Sequence, residues 1–288
     1  MTDPLPTRHL PLGDGSDAIG RREAQKQWEA YPCGASTVQG RKPESLDWFR
    51  EARRVRYDEY APWLRSATGM PEIQGKDVLE VGVGLGSDHL TLALGGNRMT
   101  ALDLSREHLR LTQLHLQLEG LSTIAVHGDM EHMPFPDASF DVVYSFGVLH
   151  HTDHMDPAVA EIWRVLRPGG QAIIGVYHRD SVFFWLSTIL YSGIWKRGFL
   201  RDGWRGTLAR IEVGAGDGCI PTVHVLTRRR LRRMFQNFEV LTVRSGGVMP
   251  DDFLHLQTLI RRIPRATLER ILGALGWYLV ITARKADH

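Results

Sequence analysis

The stretch V-L-E-V-G-V-G-L-G, from Val78 to Gly86, joins an apolar strand to a glycine-rich turn, and a second strand end, A-L-D-L-S, follows at 101–105. A parallel strand, a turn without side chains and a helix N-terminus bring backbone N–H groups close to an anionic group. Asp103 lies 19 residues after Gly84, where a carboxylate can accept hydrogen bonds from ribose hydroxyls. This pattern predicts a nucleotide-type cofactor site on a Rossmann-like core.

Details of the turn favour a single nucleoside over a dinucleotide. The glycines follow G-x-G-x-G rather than G-x-G-x-x-G, Ser87 stands at the third-glycine position, and Glu80 precedes the turn within the strand. NAD, FAD and S-adenosylmethionine (SAM) folds all combine a glycine turn with a downstream acidic residue. Other parts of the sequence are therefore needed to distinguish these cofactors.

Two later segments narrow the choice of cofactor. H-G-D-M-E-H-M-P-F-P-D-A-S-F-D-V-V-Y-S-F-G-V-L-H-H runs from His127 to His151, and R-V-L-R-P-G-G runs from Arg164 to Gly170. With the glycine turn, this ordered series resembles the class I SAM-dependent methyltransferases, especially the ubiquinone and menaquinone C-methyltransferase-like group. The resemblance covers about residues 77–177.

The resemblance implies SAM as the cofactor and S-adenosylhomocysteine as its product. Glu80 and the glycines would surround the methionine part, Asp103 would bind the ribose, and Asp129 would hold the adenine. A carboxylate accepts the adenine amine, and Leu104 and Met130 can cover the flat ring, although Asp129 could also be a turn residue. The implied cofactor residues are Glu80, Gly82, Gly84, Gly86, Asp103, Leu104, Asp129 and Met130.

Hydrophobic periodicity predicts the order of strands and helices. Strands are expected at 77–81, 98–102, 124–127, 140–145 and 171–177, with covering helices near 88–94, 106–119 and 157–165. Two further strands are expected at 238–245 and 277–284, and the resemblance implies that these two form a C-terminal antiparallel hairpin. The predicted fold class is α/β, with a mostly parallel Rossmann-like sheet.

The segments outside this core suggest accessory elements. Residues 1–20 are rich in Pro, Gly and Asp and are expected to form a flexible arm, whereas 21–66 have aromatic residues at helical spacing and are expected to form a helical lid. Residues 67–288 would form the SAM-binding domain. Insertions at about 178–226 and 249–276 would stand over the mouth of the cofactor site.

A second, looser resemblance lies in the predicted lid. W-E-A-Y-P-C-G, from Trp28 to Gly34, resembles the W-x-x-x-P-C-G segment of a group of bacterial class I methyltransferases. That group also has an R-Y pair, which Arg56 and Tyr57 match here. Arg56 could bind the SAM carboxylate or pair with a nearby acid. This resemblance implies a lid over the active site without naming the substrate.

Candidate catalytic residues follow from where the strands end. Methyl transfer from a sulfonium mainly needs alignment, and a base is required only for a protonated amine, a hydroxyl or an acidic carbon. His150 and His151 follow the fourth strand, at the edge where open α/β sheets bind ligands, and His151 is favoured. Tyr177 ends the fifth strand and Tyr31 lies in the lid. Each of the four could instead be a packing residue.

Three local patterns raise the question of other ligand classes. H-H-T-D-H-M-D at 150–156 offers metal-ligand types, but Asp153 is equally placed to cap the next helix, so no metal is predicted. The aromatic run at 183–195, followed by basic residues, could lie on a membrane, but a helix covering an apolar pocket explains it and favours a partly hydrophobic or aromatic acceptor. The arginine run at 227–235 fits a capped, solvated helix better than an RNA site.

Composition restricts the partners and the compartment. The chain has 288 residues, 43% of them hydrophobic, and a formal net charge of +2, which gives no electrostatic signature of nucleic-acid binding. Two cysteines, Cys33 and Cys219, cannot build a disulfide framework, and neither a signal peptide nor a spanning segment is recognisable. A cytoplasmic protein without stable membrane association is expected.

The functional prediction is a SAM-dependent methyltransferase that acts on nitrogen, oxygen or carbon of a small-molecule metabolite. The same cofactor motifs would also serve an enzyme that cleaves or cyclises SAM and releases methylthioadenosine, or a regulatory module that binds SAM without catalysis. The sequence leaves the acceptor atom and the oligomeric state open.

Overall fold

A seven-stranded sheet forms the centre of the molecule, in the strand order β3-β2-β1-β4-β5-β7-β6. The structure is a computed structural model that describes residues 25–38, 40–212 and 221–287. The expected arm at 1–20 and Cys219 lie outside the described residues. The strands are β1 (Asp77–Val81), β2 (Arg98–Asp103), β3 (Ile124–His127), β4 (Phe140–Phe146), β5 (Leu166–Tyr177), β6 (Glu239–Gly246) and β7 (Tyr278–Arg284).

Strand directions confirm the predicted fold class. β1 to β5 pair in parallel, and β7 runs antiparallel to both β5 and β6. β1 pairs with β2 on one side and β4 on the other, so the order of the chain reverses there. The crevice at the carboxyl ends of these strands is where such sheets bind ligands. The glycine turn leaves β1 at that point.

Strand bounds follow the hydrophobic runs closely, with one notable difference. β1 and β3 have the predicted bounds, but β5 begins at Leu166 instead of Gln171. Leu166 pairs with Phe140, and a register shift on β4 separates this pair from the regular ladder that begins at Val142 and Gln171. The R-P-G-G segment is therefore part of the strand, and the sheet edge starts earlier than hydrophobicity alone indicates.

Helices cover both faces of the sheet and form most of the segments around it. The α-helices are α1 (Leu46–Arg54), α2 (Leu64–Thr68), α3 (Ser87–Ala93), α4 (Arg106–Leu118), α5 (Met155–Val165), α6 (Gly198–Arg201), α7 (Gly203–Ala209), α8 (Arg228–Met234), α9 (Gln257–Ile260) and α10 (Arg265–Leu272). A helical turn spans 25–30. Wider π-helical segments span Val55–Tyr60 and Phe183–Trp195. Short 3-10 turns occur at Ala35–Thr37, Met70–Glu72, Leu149–His151, Pro250–Leu256 and Gly273–Leu275.

Side-chain caps explain where several of these helices begin. The hydroxyl of Ser105 accepts the backbone N–H of His108 at the start of α4, and Thr227 caps α8 in the same way. Asp153, in contrast, does not cap α5. That helix begins at Met155, and Asp153 accepts a hydrogen bond from the Thr222 hydroxyl at 3.0 Å.

Alternation along β1 distributes the core between two layers. Leu79 packs with Ile162 of α5 on one face, whereas Val78 packs with Leu90 of α3 and Leu116 of α4 on the other. Both faces of the parallel strands are thereby buried. The buried strands thereby hold the loops after β1, β2 and β4 in place at the carboxyl edge of the sheet.

The two insertions lie together at one side of the sheet. Phe184, near the start of the Phe183–Trp195 helix, is buried against Tyr177 and Trp277, and Ser187 bonds to the backbone of Asp252 in the second insertion. Within the described ranges, no helix is long and apolar enough to cross a bilayer.

Candidate cofactor and methyl-transfer site

A cavity of about 370 Å³ opens at the carboxyl ends of β1, β2 and β4. It continues beneath the described residues before α2, 25–38 and 40–63, which are named the N-terminal segment below. Its size is in the range of small-molecule sites. It is lined by nine of the twelve predicted site residues: Glu80, Gly82, Gly84, Asp103, Leu104, Asp129, Met130, His151 and Tyr177. The other three, Gly86, His150 and Tyr31, lie outside its wall.

A wider groove of about 720 Å³ lies at the opposite edge of the sheet, beside Lys76 and Asp141 at the start of β1 and β4. Asp141, which lines this groove, already accepts a hydrogen bond from Arg167 at 2.8 Å. Open α/β sheets bind their ligands at the carboxyl ends of the strands. The smaller cavity is therefore the candidate functional site.

The turn after β1 requires glycine for a steric reason. Gly82 has a φ of 78°, and its N–H donates to the carbonyl of Leu102 at 2.8 Å. A Cβ at this position would lie 2.0 Å from Cγ2 of Val148, so no side chain fits. Gly86 has a φ of 74° and packs against Thr112, on the side of the turn away from the cavity.

Asp103 is held rigidly at the end of β2. One carboxylate oxygen accepts the N–H of Val83 and the other accepts the N–H of Ser105, each at 2.8 Å. The Nδ1 atom of His108 lies 3.2 Å from the same carboxylate, and its Nε2 atom accepts the N–H of Cys33. The carboxylate keeps acceptor capacity for hydroxyl groups in the cavity. His108 also connects Asp103 to the N-terminal segment.

Asp129 and Met130 form the next part of the wall, after β3. The Asp129 carboxylate accepts the N–H of Glu131 at 2.9 Å, in a turn that sets its direction. Met130 is buried, and Leu104 lines the same cavity from the β2 side. Two apolar side chains and a carboxylate therefore surround one region, an arrangement that suits a flat ring with an exocyclic amine.

Glu80 lies under the glycine turn and binds a buried histidine. Its carboxyl oxygen is 2.9 Å from Nδ1 of His89, whose Nε2 atom is 2.8 Å from the hydroxyl of Thr123. Burial raises the pKa of Glu80, and the nearby charge of Asp88 raises it further. Burial lowers the pKa of His89 to about 3. The His89 imidazole is therefore neutral near pH 7.

A buried ion pair joins the N-terminal segment to α3. Arg56 donates to both carboxylate oxygens of Asp88, with its Nε atom at 2.6 Å, and the hydroxyls of Tyr57 and Tyr144 donate at 2.7 Å. Burial alone would raise the pKa of Asp88, but the charge of Arg56 and these hydrogen bonds hold it below its usual value. Of the two options for Arg56, the ion pair with an acid is thus observed.

A polar cluster forms at the far end of the cavity. Nδ1 of His151 lies 2.8 Å from the carbonyl of Thr222, which assigns the ring hydrogen to Nδ1 in the neutral tautomer. Nε2 then carries a lone pair and lies 3.6 Å from the Glu212 carboxylate. Tyr177 donates its hydroxyl to Glu212 at 2.7 Å. His151, Glu212 and Tyr177 are named the His–Glu–Tyr cluster below.

Aromatic and aliphatic side chains surround this cluster. Phe146, Val148 and Ile211 line the cavity, and the hydroxyls of Tyr60 and Tyr278 bond to each other within it. Burial raises the pKa of both Tyr177 and Tyr278, so both phenols are neutral. The far end of the site therefore combines these apolar groups with one carboxylate, one imidazole and several hydroxyls, and the guanidinium of Arg56 lies over the Phe146 ring, 5.3 Å from its centroid.

The two remaining predicted catalytic residues have no contact with the cavity. His150 is fully buried, with its ring centroid 3.7 Å from that of Tyr177, and neither ring nitrogen has a partner within the described part of the chain. Burial lowers its pKa well below the usual value. Tyr31 is 47% exposed and does not line the site. His150 supports the ring of Tyr177 from behind.

Several contributors were not apparent from the sequence. Glu212 belongs to an insertion that contains no recognisable motif. Asp88 follows Ser87 within a helix, and a single acidic residue there does not indicate a site. Trp28 lies edge-on to His151, with ring centroids 5.3 Å apart. Within the described ranges, no three His, Cys, Asp or Glu side chains are grouped as a metal site.

The sheet order, the glycine turn after β1, the carboxylate after β2 and the cavity between them define a class I methyltransferase architecture. Residues 79–174 match the methyltransferase domain family. This part of the chain is therefore similar to a methyltransferase domain, and the sheet that contains it has the class I strand order.

Named relatives extend this match. The chain is 45% identical over 178 residues to a phthiotriol/phenolphthiotriol dimycocerosates methyltransferase of Mycobacterium ulcerans, covering 57% of this chain and 64% of that protein. It is 33% identical over 147 residues to a sterol 24-C-methyltransferase of Gibberella zeae, covering 50% and 34%. The matches thus span less than two thirds of the length of these curated relatives.

Solved structures share the fold at low sequence identity. A putative methyltransferase from a Haloferax volcanii complex with a methyltransferase activator has a TM-score of 0.57 at 19% identity, covering 85% of this chain and 99% of that one. A Burkholderia thailandensis didemethyltoxoflavin N1-methyltransferase with bound S-adenosylhomocysteine has a TM-score of 0.51 at 19% identity, covering 98% and 94%. The [4+2]-cyclase SpnF has a TM-score of 0.55 at 17% identity, covering 97% and 99%. These likenesses show the fold alone.

Proposed function

We propose that this protein binds SAM and transfers its methyl group to a hydroxyl of a small, hydrophobic acceptor, releasing S-adenosylhomocysteine. One observation carries the proposal. A single cavity joins the carboxylates of Asp103 and Asp129 at one end to the His–Glu–Tyr cluster at the other.

The near end of the cavity fits the nucleoside of SAM. Asp103 is fixed by backbone N–H groups and keeps acceptor sites for the ribose hydroxyls, and Asp129 can accept the adenine amine between Leu104 and Met130. Bound SAM supplies an electrophilic methyl group on a sulfonium. The backbone of Gly82 and Gly84 lets the ligand approach β1 closely, because no side chain projects there.

The far end of the cavity supplies a base of the kind that a hydroxyl requires. Nε2 of His151 is the acceptor atom, because Nδ1 donates to Thr222. As the acceptor oxygen attacks the methyl carbon, its proton passes to Nε2 and the electron pair of the breaking bond stays on sulfur. Glu212, 3.6 Å away, stabilises the imidazolium that forms. The cluster thus performs general-base catalysis.

The walls favour an apolar acceptor. Phe146, Val148, Ile211 and the ring of Tyr278 surround the polar cluster, so burial of hydrocarbon would contribute most of the acceptor's binding energy. The named substrates of two relatives, phthiotriol dimycocerosates and sterols, support a lipid-like acceptor. The N-terminal segment, which contributes Trp28 and Cys33 to the wall, would act as the lid.

The test uses the full-length protein and SAM carrying an isotope label on the methyl group, incubated with a lipid extract of the source cells. We expect label in the organic phase that survives alkaline hydrolysis but is released as methyl iodide by hydriodic acid, because methyl esters are cleaved by alkali and methyl groups on carbon resist both treatments. Label that alkali releases, or label found only in polar metabolites, would contradict a hydroxyl on a hydrophobic acceptor.

A further inference from the structure

The first insertion presents an unusual amount of apolar surface to solvent. Trp195 is 80% exposed and Leu200 is 86% exposed, although both are large hydrophobic side chains. The surface, named the aromatic face below, consists of Trp185, Leu190, Tyr191, Ile194, Trp195, Leu200 and Trp204. Exposed apolar patches of this kind mark interaction sites.

The aromatic face is part of a packed unit. Phe184 is buried beneath it, and Phe199 stacks on Trp204 with ring centroids 5.6 Å apart. A Cβ on Gly193 would lie 2.2 Å from the Phe199 ring, so glycine permits this close contact between the Phe183–Trp195 helix and α6. The exposed side chains are thus presented on a folded element.

Basic residues surround the aromatic face. Residues 183–212 contain five basic and two acidic side chains, whereas the whole chain is nearly neutral at +2. Arg201 and Arg210 share the carboxylate of Asp202, and Lys196, Arg197 and Arg205 are exposed. Within the described part of the chain, these three form no ion pair with a carboxylate.

We infer that the aromatic face docks on the surface of an anionic lipid bilayer. Tryptophan and tyrosine rings insert at the headgroup level of membranes, and nearby lysine and arginine side chains bind lipid phosphates. The inference departs from the expectation of no stable membrane association. The sequence alone does not show that these side chains are exposed, because their exposure depends on which side of the helix is buried.

The position of the face relative to the cavity agrees with this partner. The inner side of the same helix packs against Tyr177, a member of the His–Glu–Tyr cluster, and α7 leads within three residues to Ile211 and Glu212 in the cavity wall. A docked bilayer would therefore lie next to the far end of the site. A hydrophobic molecule could pass between the two with little exposure to water.

Charge argues against a second copy of the chain as the occupant. A symmetric dimer places the same patch on both sides of its interface. Lys196, Arg197 and Arg205 would then face their own counterparts, and like charges repel. An anionic bilayer attracts these three basic side chains by its opposite charge, and its hydrocarbon accepts the apolar side chains of the aromatic face.

The test measures co-sedimentation of the full-length protein with vesicles of phosphatidylcholine alone and of phosphatidylcholine with phosphatidylglycerol, without SAM or acceptor. We expect binding to the anionic vesicles that weakens as salt rises. The double substitution Trp195→Ser and Leu200→Ser should lower the apparent affinity by roughly tenfold or more, from lost apolar burial. Lys196→Gln with Arg205→Gln should lower it by about fivefold per charge.

Matched controls keep the outcome specific. Ile124→Ser removes an exposed apolar side chain on β3, and Arg229→Gln with Arg233→Gln removes two charges from α8; neither should change vesicle binding. No binding to anionic vesicles by a folded protein, or equal binding by the Trp195→Ser, Leu200→Ser variant, overturns the inference.

Light scattering tests whether a second copy of the chain covers the aromatic face instead of a bilayer. A dimer that the Trp195→Ser, Leu200→Ser variant converts to a monomer would assign the face to a contact between copies and would also overturn the inference. Because no step uses SAM, vesicle binding can fail while the proposed methyl transfer stands, and the reverse also holds.

Discussion

At the scale of single residues, the proposed methyl transfer depends on which nitrogen of His151 faces the cavity. The Thr222 carbonyl fixes the hydrogen on Nδ1, so Nε2 is the basic atom, and Glu212 lies close enough to stabilise its protonated form. Tyr177 donates to the same carboxylate and thereby orients it. Base and orienting groups thus come from three separate segments of the chain.

Substituting His151 by Gln should separate catalysis from cofactor binding. We expect kcat to fall by about 100-fold, the scale of a lost general base, while the dissociation constant of SAM changes little. Glu212→Gln should lower kcat less, because His151 remains. The double variant should be no slower than His151→Gln alone, as expected for residues that act as a unit. Additive losses measured by steady-state kinetics would mean that the two act independently.

Asp103→Asn should weaken binding of S-adenosylhomocysteine by about tenfold, since charge-assisted hydrogen bonds to the ribose are replaced by weaker ones. Isothermal titration calorimetry measures the change. Asp251→Asn, at an exposed acid outside the cavity, is the control and should bind like the wild type. An unchanged affinity for Asp103→Asn would remove Asp103 from the ribose site.

At the scale of elements, the turn after β1 and the Arg56–Asp88 pair position the cavity wall. The sequence predicts the turn because glycines follow an apolar strand, but it does not reveal why glycine is obligatory. The reason is tertiary: Val148, which follows β4, occupies the space that a Gly82 side chain would need. Likewise, Asp88 acquires its role only when Arg56 folds onto α3.

Gly82→Ala should lower the free energy of unfolding by roughly 2 to 4 kcal/mol, from a positive φ combined with overlap with Val148. Gly96→Ala is a matched control, because Gly96 also has a positive φ, 72°, but has no atom within 4 Å of the added Cβ. It should cost about 1 kcal/mol. Equal losses in urea titrations of the two variants would exclude the steric explanation.

Asp88→Asn should destabilise the protein by about 2 kcal/mol or more, because it leaves the part-buried guanidinium of Arg56 without its counter-charge. The pKa of Asp88 is lower in the folded than in the unfolded protein, so its contribution is present above about pH 4 and is lost as the pH falls further. The variant should therefore lose less stability than the wild type between neutral and acidic pH.

Denaturant unfolding across that pH range measures both effects. Asp58→Asn, at an exposed acid in the helical segment that contains Arg56, is the control and should follow the wild type. If Asp88→Asn and the wild type lose the same stability on acidification, the carboxylate is not ionised in the way described.

At the scale of the whole molecule, the architecture could be predicted from the sequence. The acceptor end of the site could be predicted only in part. Strand bounds follow from apolar runs, and the carboxyl ends of parallel strands meet at one edge, which is why Asp103, His151 and Tyr177 line one cavity. His150 lies next to His151, with the ring centroids 4.2 Å apart, but it packs behind the ring of Tyr177 and does not reach the cavity. Glu212 could not be found, since its position depends on how the first insertion packs.

The most direct test of the central claim is a mass balance on SAM by mass spectrometry, using the purified protein with the lipid extract. The account predicts that S-adenosylhomocysteine and a methyl-labelled lipid appear in equal amounts, and that both require the extract. Methylthioadenosine formed without any extract would contradict the account, because SAM itself would then be the substrate of a cleavage or cyclisation.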